Sequence, residues 1–100
     1  MPIDLPPPAY SGPYGGALVE IVDSRVVRER CAAGQIACSF VLSRSACVVI
    51  LPSEGSDYGR ALLRHHELGH CNGWPSTHPD PRRAAPGIVP QRNSTASTGD

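Results

Sequence analysis

The chain has no lysine, one methionine and only five aromatic residues among its 100. Its nine basic side chains are all arginine and are matched by nine acids, so the formal charge is zero. The arginine bias reads as the codon usage of a GC-rich genome. There is no basic stripe interleaved with aromatics, the footprint a nucleic-acid surface leaves in sequence, and nucleic acid is not an expected partner. No apolar run approaches the length of a membrane-spanning helix. No positively charged segment leads into an apolar stretch at the N-terminus, so no signal peptide is visible.

Core-forming residues are also scarce at both ends. Residues 1–16, "MPIDLPPPAYSGPYGG", and 80–100, "DPRRAAPGIVPQRNSTASTGD", are rich in Pro, Gly, Ser or Thr and carry no helical or strand period. They read as a flexible arm and a disordered tail. The "NST" at 93–95 matches a glycosylation acceptor and reads as incidental in such a tail. The foldable part is then 17–79, a size at which a hydrophobic core alone is marginal and staples are needed.

Four cysteines, Cys31, Cys38, Cys47 and Cys71, all fall inside that part. Four thiols allow three connectivities, and a paired set implies an oxidising compartment, periplasmic or extracellular. The segment from 38 to 47 looks like a hairpin, which suggests Cys38–Cys47 and leaves Cys31–Cys71. Reduced, buried thiols are the alternative.

The element pattern is α+β. "ALVEIV" (17–22) is β-branched and reads as a strand. Asp23 or Ser24 caps a helix, "SRVVRERCAA", that Gly34 stops. "QIACSFVL" and "ACVVILP" flank "SRS" as a hairpin, with Pro52 closing the second strand. Ser56 or Asp57 then caps a helix to about Asn72, where Gly73 and Pro75 end it. The expected domain is a small sheet packed with a backing helix and this second helix.

On the second helix lies "HELGH", His66 to His70. The H-E-x-x-H form on a helix is a zinc-hydrolase signature, although alone it also arises by chance on solvated helix faces. His66 and His70 fall about 40° apart and roughly one turn along the axis, so both rings can meet one ion. Glu67 sits at the edge of that face. Zinc lowers the pKa of a bound water to about 7, and a nearby carboxylate takes the proton as the nucleophile forms. Leu62 and Leu63 are expected to wall the site, with Ala61, Leu68 and Cys71 facing the sheet.

A catalytic zinc needs a third protein ligand. His78 is the first choice, because the stretch from Gly73 spans at most about 18 Å and can fold back. Asp80 and a thiolate at Cys47 are the alternatives. His65 points about 100° away from His66 and is not expected on the same ion. Trp74 is expected to pack the turn that presents His78. No spacing selects an oxyanion donor among Tyr10, Tyr14, Arg64 and His65.

"HHELGHCNGW" preceded by "CVVILP" resembles the active-site helix and strand of zincin metallopeptidases, over residues 46–78. His66, Glu67, His70 and Gly73 match the metzincin pattern H-E-x-x-H-x-x-G-x-x-H. Ser76 stands where that pattern places its third His, and no methionine follows the site. Peptide deformylases are similar in pairing such a helix with an upstream Cys, but their surroundings of that Cys are missing. The resemblance implies a zinc peptidase holding Zn2+ on His66, His70 and His78, with Glu67 as general base toward a zinc-activated water and a peptide or protein as substrate. It also implies that "CVVIL" is an edge strand to which the substrate adds. The rival reading is a non-catalytic, zinc-stabilised binding or structural module.

Overall fold

Two β-branched stretches build the centre of the molecule. In the computed structural model, which describes residues 3–80, β1 (Ala17–Val22), β2 (Cys38–Ser43) and β3 (Ala46–Pro52) form one sheet in the order β1-β3-β2. β3 pairs parallel with β1 and antiparallel with β2, with Val48 opposite both Leu18 and Phe40. Helix α1 (Ser24–Arg30) covers one face and helix α2 (Asp57–Cys71) the other. The chain is a small α+β domain with a mixed three-stranded sheet between two helices.

Alternation along β3 sorts the core into two layers, because successive side chains point to opposite faces. Cys47, Val49 and Leu51 face α2 and pack with Ala37, Cys71, Leu63 and Leu68. Ile50 and Val48 face α1 and pack with Val27, Cys31, Cys38 and Val22. A strand covered on both faces reads as a continuous apolar run, as "CVVIL" does. Paired with β1 on one side and β2 on the other, β3 is the central strand, and the expectation that it is a substrate-binding edge is overturned. Its ladder groups are occupied on both sides by β1 and β2.

The same parity corrects the disulfides. The bonds are Cys31–Cys38 and Cys47–Cys71, not Cys38–Cys47 and Cys31–Cys71. In the hairpin Cys38 lies opposite Ile50 and Cys47 opposite Val41, three pairs apart along the ladder. Cys38 also faces the α1 layer and Cys47 the α2 layer. Each cysteine instead bonds to the helix side of its own layer, so each layer is stapled once.

Helix α1 starts where Asp23 accepts from Val26 N–H at 3.1 Å. Glu54, across the sheet end, accepts from Ser24 N at 3.0 and 3.1 Å and from Ser24 Oγ at 2.8 Å. These donors, the Ser24 backbone N–H foremost, hold the Glu54 carboxyl down to about 2 from its ordinary 4.5. α1 ends at Arg30, earlier than Gly34, because Cys31 turns to extended backbone (φ −100°, ψ 166°) to reach Cys38. α2 is capped by Ser56, whose hydroxyl accepts from Gly59 N–H at 2.9 Å.

Of residues 1–16, expected as a flexible arm, Asp4 to Gly12 contact α2, while Tyr14 and Gly16 meet the β2–β3 hairpin. Pro6 and Pro7 are buried, and Pro8–Tyr10 form a single 3-10 turn. The tail expected from residue 80 and the acceptor at 93–95 lie outside the described residues, Asp80 excepted. Among the described residues no helix is long and apolar enough to cross a membrane.

Candidate metal centre

The end of α2 is shaped by its glycine. Gly73 takes φ 98°, its N–H bonds His70 O at 3.0 Å, and Trp74 N–H bonds Gly69 O at 2.9 Å. This is the paired 6→1 and 5→2 pattern of a Schellman stop, and it folds Trp74 back over the helix. The Trp74 ring stacks on His70 with centroids 5.2 Å apart and a 19° tilt. Its carbonyl accepts from His70 Nδ1 at 2.6 Å, and its indole N–H donates to Pro79 O at 2.9 Å. His78 N–H bonds Pro75 O at 2.9 Å, closing the next turn. Trp74 thus packs the turn that carries His78, as its position after the helix stop suggested.

His78 itself has φ 56° and is the one described non-glycine residue in the left-handed region. Such a conformation costs on the order of 1–3 kcal/mol and persists where surrounding structure enforces it. Here it brings the ring back onto α2. The ligand atoms of His66, His70 and His78 all lie within 4.8 Å of one another. His70 Nε2 is 3.3 Å from His66 Nε2 and 3.2 Å from His78 Nε2.

Tautomers explain what that convergence means. Backbone carbonyls face two of the Nδ1 atoms, Asp4 O at 2.5 Å from His66 and Trp74 O at 2.6 Å from His70. A carbonyl only accepts, so both Nδ1 atoms carry the proton, and in a neutral ring Nε2 then holds a bare lone pair. Two such lone pairs facing each other repel unless a cation lies between them. Ligands on a tetrahedral ion at 2.0–2.1 Å are about 3.3–3.4 Å apart, close to the two spacings from His70 Nε2. The His66 and His70 rings also sit in the last turns of α2, where the helix dipole favours positive charge. The triad fits a metal ion.

His66 and His70 are 5 % and 2 % exposed, His78 is half-buried, and Glu67, next to His66, is wholly buried. Of the rival third ligands, Cys47 is excluded because its sulfur is bonded to Cys71. Asp80 is not in the converging group, which is His66, His70 and His78 among the described residues. His65 turns away, as expected, to Ser11 Oγ at 3.2 Å. Leu63 packs with the core between α2 and the sheet, and Ala61, though exposed, lies beside Val19, Ile21 and Leu51 of the sheet. Tyr14 is occupied at Arg44 O.

Sequence reasoning missed the contribution of the N-terminal segment. Asp4 supplies its main chain to His66, and Pro6 seats on Gly69, where a Cβ would come within 2.7 Å of Pro6 Cβ and Cγ. One signal was present. A glycine inside a helix costs about 1 kcal/mol relative to alanine, and the usual reason is close approach by another part of the chain. The chain matches no protein-family model, no curated protein and no solved structure.

Proposed function

We propose that the chain is a zinc-dependent peptidase of zincin type, with His66, His70 and His78 as ligands and Glu67 as general base. The observation that carries this reading is the convergence of three imidazoles, with the proton of His66 and of His70 placed on Nδ1 and so away from the converging Nε2 atoms, beside a buried carboxylate. A three-imidazole set with a position left for water suits catalytic zinc. When bound, zinc supplies Lewis acidity that polarises a carbonyl and makes water acidic near neutral pH. Glu67 takes the proton from the attacking water and passes it to the leaving amine. Trp74 and Pro6 keep bulk water from the back of the site. With β3 enclosed, the open edge of β2, which packs beside α2, is the place for an extended peptide to add as a strand. Two disulfides are consistent with an oxidising compartment, and we read the setting as periplasmic or secreted.

The test is Glu67→Gln. Zinc stays bound and hydrolysis of a quenched-fluorescence peptide library falls at least about 100-fold, the scale of a general base. Wild-type turnover in that variant defeats the peptidase reading. The depth of Glu67, at 0 % exposure, favours a second reading, a non-catalytic module that zinc stabilises. Under that reading the wild type binds zinc, cleaves nothing in the library, and Glu67→Gln is silent.

A further inference from the structure

We propose that the segment from Asp4 to Gly12 is a positioning strap for the metal centre, holding His66 in the tautomer that leaves Nε2 to the ion. The inference rests on the triad being a metal site and does not depend on peptidase activity. A neutral imidazole has one N–H and one lone pair, and a partner at one nitrogen decides which is which. For His66 that partner is the Asp4 carbonyl, from 62 residues away in sequence. His70 gets the same service from within its own turn, through Trp74 O. The two ligands on one helix are therefore oriented by different pieces of chain, and only one of those pieces can be displaced without disturbing the helix end.

The strap has its own seating. Pro6 is buried on Gly69, one turn along α2 from His66. Asn72 Nδ2 donates to Tyr10 O at 3.1 Å and to Gly12 O at 2.8 Å. Ser11 Oγ donates to Pro6 O at 2.8 Å and lies 3.1 Å from Pro7 O, folding the strap on itself, and the same hydroxyl meets His65. The proline run limits what the strap can do when free. Pro7 sits at φ −60°, ψ 162°, an extended conformation the ring already prefers, so little backbone entropy is lost on docking. Orienting groups behind metal-bound histidines are worth about 10- to 100-fold in metal affinity. That is the effect expected of losing the strap.

The experiment uses the full chain and zinc itself. Two changes loosen the strap without replacing a histidine: Asn72→Ala with Ser11→Ala, which removes the side-chain hydrogen bonds that seat it on α2 and leaves Trp74 alone, and Gly69→Ala, whose Cβ would meet Pro6 at 2.7 Å and also Trp74 Cε3 at 3.1 Å, so that the first variant reads the strap by itself. Zinc affinity, read by competition with a chromophoric chelator, is expected to fall about 10- to 100-fold in both. Ser11→Thr, which keeps the hydroxyl, retains wild-type affinity. In the chelator-treated proteins, histidine 15N spectra are expected to show His66 protonated at Nδ1 in the wild type and redistributed toward Nε2 in the strap variants. Loss of packing alone would not move that signature. Unchanged affinity in both variants overturns the strap while leaving the triad intact. A wild type that takes no zinc overturns the triad, and the strap with it.

Discussion

Removing Cys47–Cys71 should cost more than removing Cys31–Cys38, and the difference can be worked from the chain. The first closes a sequence separation of 24 and the second a separation of 7. On the loop-entropy account these bonds are worth about 3.4 and about 2.4 kcal/mol at 25 °C. All four cysteines are buried, at 1 to 8 % exposure, so the packing lost on substitution by alanine largely cancels in the comparison. A gap of about 1 kcal/mol should remain, or about 4–8 °C in thermal midpoint for a domain of this size. The assay is thermal melting by circular dichroism of Cys47→Ala/Cys71→Ala against Cys31→Ala/Cys38→Ala, both with chelator. The first pair should melt lower. Peptide mapping of the unreduced wild type should recover 31–38 and 47–71. An equal or reversed order of melting, or a 38–47 peptide in the map, refutes the argument from strand parity.

Two further outcomes follow from single residues. Glu54 titrates at about 2 when folded against an ordinary 4.5, so the bonds it makes to Ser24 stabilise the fold fully above 4.5. They are lost as pH falls through about 2. Glu54→Gln should therefore flatten the acid limb of the midpoint-versus-pH curve between those values, and an unchanged limb would show that Glu54 does not cap α1. His78→Gly removes a ligand and also relieves a left-handed backbone, so the metal-free protein should melt no lower than wild type, while the shift on adding zinc disappears. At free zinc about 1,000-fold above Kd that shift corresponds to about 4 kcal/mol in the wild type, and its survival in His78→Gly would remove His78 from the ligand set.

How far the sequence foretold the structure depended on how local each feature was. The caps at Asp23 and Ser56, the stop at Gly73 and the three strands were all legible, because each is decided by residues within a turn or two. The convergence of His66, His70 and His78 was legible for the same reason. Helix periodicity sets the first two rings, and the Gly73 stop with Pro75 brings the third back. The disulfides were misread, although the hairpin contained the answer. Once Val41 faces Cys47, Cys38 must face Ile50 and point to the other side of the sheet. The central place of β3 was not legible, because its parallel pairing with β1 is a long-range choice that no local pattern states. The strap was hidden by composition. A run of Pro, Gly and Ser reads as an unstructured arm until one sees that Gly69 leaves a seat for Pro6.

The central claim is that the three histidines hold a metal ion. Elemental analysis of the purified full chain, after dialysis against metal-free buffer without chelator, tests it most directly, with His70→Ala as the paired sample. His70 is the ring whose Nε2 lies within 3.3 Å of both others, so its loss should empty the site. The account predicts close to one zinc per wild-type chain and none in the variant. A wild type that carries no zinc, and whose melting temperature does not rise when zinc is added, would contradict it.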